Sequence, residues 1–208
     1  MATPTISLHG TTFSGHTHRV ENLLIMLQLP YRFVDAPAAV RRSAAFRSTL
    51  NAFGQIPVLQ DGDVTLADSN AILVYLARRY GAGTSWLPDD PLGAASVQRW
   101  LSVAAGEVRY GPAAARLITL WNAPGDLARA HEIAAGLLAF MESHLGNRRF
   151  LAAEHATIAD LACFSYVAHA PEGRISLADF PAIRAWLSRV EALPGFKPMQ
   201  RTAVPPAA

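Results

Sequence analysis

The chain has 208 residues, 51% hydrophobic and 16% charged, which excludes a disordered chain and supplies apolar material for one large or two small cores. The formal net charge is only +2 and no basic block occurs, so nucleic acid is not an expected partner despite a pI of 9.0. The single cysteine, Cys163, excludes an intramolecular disulfide and a cysteine zinc cluster. The N-terminus lacks the charged and apolar regions of a signal peptide. The longest clean apolar run, 71–77, is too short to span a bilayer. A soluble cytoplasmic protein is therefore expected.

Ile6-Ser7-Leu8-His9 reads as a first strand, followed by a loop from Gly10 to Phe13. Apolar residues at Val20, Leu23, Leu24 and Leu27, with Pro30 beyond them, predict a helix from about Gly15 to Gln28. Tyr31 to Asp35 reads as a second strand. The intervening helix makes this a βαβ unit with parallel strands. Residues 41–50 predict a weak helix through Phe46 and Leu50. Val58-Leu59-Gln60 and Val64-Thr65-Leu66 predict a hairpin turning at Asp61-Gly62. Pro57 opens it, at one of the few strand positions that tolerate proline. Asp68 or Ser69 then caps a helix carrying Ile72, Leu73, Leu76 and Tyr80. A helix N-terminus presents unpaired N–H groups, so this place suits a carboxylate. The order βαβαββα, with proline before the third strand, resembles the thioredoxin fold.

Gly81 to Pro91 is rich in Gly and Pro and reads as a linker. Beyond it the pattern is helical throughout. One helix is predicted over 92–121 with a kink at Pro112, a second over 126–145 ending at Gly146-Asn147, a third opening at Thr157 and a fourth over 181–193. Thr157-Ile158-Ala159-Asp160 has the form of a capping box with Asp in place of Glu. The expected organisation is an α/β thioredoxin-like domain over 1–82 and an all-α domain over 92–208.

The two motifs Gly54-Gln55-Ile56-Pro57-Val58-Leu59 and Leu66-Ala67-Asp68-Ser69-Asn70-Ala71-Ile72 resemble the glutathione-binding half of a glutathione S-transferase. Thr157-Ile158-Ala159-Asp160-Leu161-Ala162 and Phe180-Pro181-Ala182-Ile183-Arg184-Ala185-Trp186-Leu187 are similar to that family's helical domain. The resemblance runs from about Ile6 to about Lys197. It implies a cis peptide before Pro57. It implies that Ile56 offers its backbone to the cysteinyl part of glutathione, with Gln55 nearby, and that Asp68 and Ser69 hold the γ-glutamyl end. The family more often has Glu or Gln where this chain has Asp68.

Ser14-Gly15-His16 lies between the first strand and the first helix. As a residue type Ser14 is a good helix N-cap, its oxygen taking a backbone N–H. The resemblance implies a second role for the same hydroxyl, donation to the glutathione sulfur, as in members that use Ser rather than Tyr. Many of those read Ser-Gly-Asn, with the Asn also near the sulfur, and here His16 takes that place, so the resemblance implies His16 beside Ser14 as a catalytic candidate. His9 stands about where tyrosine-type members carry their Tyr. Histidines 9, 16 and 18 lack a convincing carboxylate partner. They read as one partly buried and two exposed side chains rather than a metal site, and no metal is expected. Cys163 lies in an apolar stretch and reads as packing, which argues against a cysteine-based thioltransferase.

Thr11, Thr12 and Phe13 adjoin Ser14 and are the better candidates for an electrophile pocket. Arg109, Tyr110 and Arg116 lie on the long helix. The two arginines are seven apart on one face, either lining that pocket or solvated. What the resemblance implies is conjugation of the glutathione thiolate to small hydrophobic electrophiles. Glutathione is co-substrate, no bound cofactor is needed, and the partner is a second copy of the chain, with Phe53 as a possible anchor. The rivals are glutathione-dependent disulfide or peroxide reduction and a non-catalytic binding protein.

Overall fold

The structure is a computed structural model that describes residues 6–206. It divides into two compact units. One comprises residues 6–84 with Pro194–Met199, the other Ser85–Leu193 with residues 200–206.

The first unit is built on a four-stranded mixed sheet in the order β2-β1-β3-β4. The strands are β1 (Ile6–Gly10), β2 (Tyr31–Asp35), β3 (Val58–Asp61) and β4 (Val64–Ala67). β1 pairs parallel to β2, as the helical crossover α1 (Gly15–Met26) requires. β3 pairs antiparallel to both β1 and β4. Leu8, Leu23, Leu24, Leu59, Leu73 and Leu76 are fully inaccessible, and they bring α1 and α4 (Ser69–Tyr80) onto the sheet. A smaller cluster of Ala36, Phe46 and Val58, with Leu50, Ile56 and Ala67 against it, lies where the chain enters β3.

Two local expectations change. The single helix expected over 41–50 is two short ones, α2 (Ala38–Arg42) and α3 (Ala44–Thr49). Ser43 separates them in an extended conformation because its Oγ caps the second, accepting the Phe46 N–H at 3.2 Å. The hairpin turns at Gly62-Asp63, since Asp61 pairs with Val64. Asp61 is buried instead, where its carboxylate accepts from the Tyr75 and Tyr80 hydroxyls.

The Pro194–Met199 segment returns to α1. Lys197 N–H donates to Asn22 Oδ1 at 2.8 Å, and the Lys197 ammonium meets Glu21 at 2.8 Å.

The second unit is helical: α5 (Pro91–Ala105), α6 (Ala114–Trp121), α7 (Leu127–Leu145), α8 (Ile158–Ala168) and α9 (Pro181–Glu191). α8 is buried from Ile158 through Val167, which explains why it is hydrophobic on all sides. The capping box is formed. Thr157 Oγ1 accepts the Ala159 N–H at 3.2 Å, and Asp160 accepts the Thr157 N–H at 2.9 Å. The same buried carboxylate takes the Leu151 N–H and the Trp186 indole N–H, each at 2.9 Å.

The stretch 92–121 is not one helix. α5 stops at Gly106, and a π-helical turn over Arg109–Ala113 encloses Pro112 before α6 begins. Proline has no N–H for the helical ladder, and the wider turn absorbs the missing bond. Gly111 in this turn lies against α7, where a Cβ would come within 3.0 Å of the Ala134 backbone.

Candidate active site

Three loops leave the same end of the sheet. His9 on β1 lies opposite Val58 on β3, and Val58 lies opposite Ala67 on β4. β1 and β4 end there and β3 begins there. The antiparallel register therefore makes neighbours of the Thr11–Ser14 loop, the Ile56–Pro57 bond and the Asp68–Ser69 pair.

The first loop delivers Ser14 to the N-terminus of α1. Its Oγ accepts the Thr17 N–H at 3.2 Å. A hydroxyl that accepts this bond keeps its proton to donate, and it donates to no acceptor among the described residues. Gly10 makes the approach of α1 to β1 possible, since a Cβ there would lie 2.2 Å from the Thr17 methyl. Thr11 is half-buried, while Thr12 and Phe13 are exposed beside it.

In the second loop the Ile56–Pro57 bond is cis, immediately before β3. Gln55 is exposed and its carbonyl accepts from Asn51 Nδ2 at 3.1 Å.

In the third, Asp68 is the cap of α4, settling the choice left open between Asp68 and Ser69. Its Oδ1 accepts the Asn70 and Ala71 N–H groups, both at 2.9 Å. Its backbone has φ 72° and ψ 120°, a conformation that costs a non-glycine residue about 1–3 kcal/mol and is concentrated at functional sites. With Asp68 capping, the Ser69 hydroxyl is released for side-chain contacts. Ser69 Oγ lies 3.3 Å from Arg19 Nη1 and 3.3 Å from His16 Nδ1.

Arg19 was missed in the sequence. It is 1% exposed and donates from Nη1 to Ser69 Oγ and, at 3.1 Å, to Asn70 Oδ1. The available signal was its place one turn before Leu23, on the apolar face of α1, where a charge has a reason to be. It sets a full positive charge behind the partial positive charge of the α4 N-terminus.

The histidines are not disposed as one partly buried and two exposed. His9 and His18 are both buried. His9 Nε2 is 2.8 Å from Gln60 Oε1, and His18 Nε2 is 2.7 Å from the Lys197 carbonyl. His16 alone of the three reaches Ser69. No group of His, Cys, Asp and Glu among the described residues is arranged to hold a metal ion.

In the helical unit Arg109 lies over the ring of Tyr110, whose side chain is 61% exposed. Arg116 is not solvated. It is 1% exposed, and its Nε meets Glu172 Oε2 at 2.6 Å. The π turn takes more residues per turn than an α-helix and so removes rotation between positions 109 and 116, and a spacing of seven no longer places them on one face. Cys163 is fully buried with its Sγ 3.7 Å from the Trp100 carbonyl.

Residues 8–85 match the family model for the glutathione S-transferase N-terminal domain, and residues 125–194 match that for the C-terminal domain. The chain belongs to the glutathione S-transferase family. A glutathione S-transferase of Arabidopsis thaliana is 33% identical over 179 residues, covering 79% of this chain and 70% of that protein. The crystal structure of a glutathione S-transferase from Pseudomonas fluorescens superposes with a TM-score of 0.87 at 30% identity, over 95% of this chain and 100% of that one. A glutathione transferase homologue from Drosophila mojavensis, solved with bound glutathione, aligns with a TM-score of 0.80 at 27% identity, over 91% of this chain and 88% of that one. The chain is a glutathione transferase with the thioredoxin-like and helical units of that family. No helix among the described residues is long and apolar enough to cross a membrane.

Proposed function

We propose that this transferase conjugates the glutathione thiolate to small hydrophobic electrophiles in the cytosol, with Ser14 as the group that stabilises the thiolate. The observation that carries the reading is the unused donor of Ser14 at the N-terminus of α1, beside the cis Ile56–Pro57 bond and the Asp68–Ser69 pair. A thiol has a pKa near ~8.5 and needs roughly one to two units less to be mostly ionised at neutral pH. Each unit is ~1.4 kcal/mol. One hydrogen bond to an anion contributes about 1.5–3 kcal/mol and a helix N-terminus about 0.3–1 kcal/mol. A hydroxyl and a helix end therefore cover the requirement.

In this reading the Ile56 backbone, cis Pro57 and Gln55 align the tripeptide. Asp68, Ser69 and the α4 N-terminus, with Arg19 behind them, take its γ-glutamyl end. His16 holds Ser69 in place, and Thr11, Thr12 and Phe13 bound the electrophile. Glutathione is the co-substrate and no bound cofactor enters. The test pairs an aryl halide with a mixed glutathione disulfide as alternative substrates. Turnover of the halide that depends on Ser14 supports the reading, and turnover of the disulfide alone overturns it in favour of reduction.

The transferase is proposed to act as a homodimer. Phe53 supports this, a large apolar side chain 83% exposed in the loop before Gly54. Sedimentation that gives a monomer at micromolar concentration rejects the dimer. A dimer indifferent to Phe53→Ala rejects only the anchor.

A further inference from the structure

A cavity of about 240 Å³ lies within the helical unit, and none of its lining residues has a role in the transferase site. It is smaller than the roughly 300–1,000 Å³ of pockets for drug-sized ligands, so its occupant is small. Trp100 and Leu151 are its buried apolar lining. His144 meets Trp100 edge-on with ring centroids 4.9 Å apart, and its Nε2 is 2.8 Å from the Leu151 carbonyl. In the neutral ring that contact makes Nε2–H the donor and leaves Nδ1 as an acceptor.

Two arginines complete the wall. Arg99 lies over the Phe140 ring at 5.4 Å and makes no ion pair among the described residues. Arg148 Nη1 donates to the His144 carbonyl at 3.2 Å and to Asn147 Oδ1 at 3.0 Å, neither of which carries charge. Glu154 also lines the cavity, and among the described residues it forms no ion pair with either arginine. The charged groups bearing on His144 are Arg99 from α5, Arg148 from the α7–α8 connection and the buried Asp160 of α8. Burial first, and then both guanidiniums, hold the imidazole below the ordinary histidine value, while the Leu151 carbonyl and Asp160 oppose this. Two cations thus line the same cavity as this half-buried ring.

We propose that this cavity binds a small phosphate monoester. Guanidinium forks match phosphate oxygens, and a dianion near neutral pH balances two arginine charges. The room beyond one phosphate group accommodates a short organic remainder against Trp100 and Leu151, with Glu154 placed to accept from a hydroxyl on it. The bound dianion offsets the arginine charges felt by His144, so binding raises the proton affinity of the ring.

The test is titration calorimetry of the full chain with glycerol 2-phosphate, in two buffers of different ionisation enthalpy, beside an NMR pH titration of His144. The expected result is saturable one-to-one binding, weakened roughly 10-fold or more by Arg99→Gln and by Arg148→Gln, the loss of one charge-assisted contact. Binding to the parent is expected to take up more protons, or release fewer, than binding to His144→Gln, and the His144 titration moves upward with ligand. Both arginines are exposed, so their variants should keep the parental melting temperature and transferase activity. Absence of saturable binding, or affinity unchanged in both arginine variants, overturns the proposal. So does succinate binding as tightly as the ester, which would assign the cavity to carboxylates.

Discussion

Replacing Ser14 by alanine separates two jobs held by one oxygen. The acceptor job is visible: Ser14 Oγ takes the Thr17 N–H at 3.2 Å. Its loss is expected to cost about 1 kcal/mol of stability. The donor job falls to the hydroxyl proton, for which a glutathione thiolate is the proposed acceptor. Losing a charge-assisted bond of about 1.5–3 kcal/mol raises the pKa of the bound thiol by roughly one to two units. Turnover at neutral pH should then fall roughly 10- to 100-fold and partly recover as pH rises and the thiolate forms unaided. Ser14→Thr, which keeps both the cap and the donor, should retain most of the activity. The assay is ultraviolet thiolate absorbance of the glutathione complex against pH, in parent and variant, beside melting curves. Equal bound-thiol pKa values with a lowered melting point would refute the donor role and return Ser14 to capping alone.

Ser69→Ala should weaken glutathione binding by about 0.5–1.5 kcal/mol, one hydrogen bond. Calorimetry checks it, and unchanged affinity removes Ser69 from the site. Asp160→Ala leaves the Leu151, Thr157 and Trp186 N–H donors buried without their acceptor, and should destabilise the fold by about 3–5 kcal/mol in urea denaturation. A loss under about 1 kcal/mol contradicts the capping-box account. Glu172 and His169 together set an acid limit. Burial opposes ionisation of Glu172, but the Thr202 N–H, Arg116 and His169 outweigh it and hold the carboxyl below its ordinary value. Burial holds His169 low despite its bond to Glu172. A depressed carboxyl contributes stability above its unfolded pKa near 4.5 and loses it as pH falls through the folded value. A depressed histidine takes up its proton more readily unfolded, so stability falls as pH drops below about 6.5 toward its folded value. Both signs agree, and melting temperature should fall with pH below about 6.5, less steeply in His169→Gln. An unchanged slope in that variant rejects the histidine part.

The sequence alone determined what local spacing encodes. Alternation and turn residues specify the β3–β4 hairpin, helical periodicity with Pro30 specifies α1, and Thr157 to Asp160 specifies a cap, because each signal is complete within a few residues. Side chains at 14, 56–57 and 68–69 were legible as one site only through the family motif. Composition and periodicity carry no information about which loops meet. The tertiary structure decided what depends on long-range neighbours. Register across β1, β3 and β4 gathers the three loops at one sheet end. Packing of α1 against α4 buries Arg19 beneath Ser69, and the return of Lys197 to α1 buries His18. The π turn at Pro112 parts Arg109 from Arg116 because the bond that proline lacks is resolved by neighbouring turns and by Gly111 against α7, which no spacing rule contains.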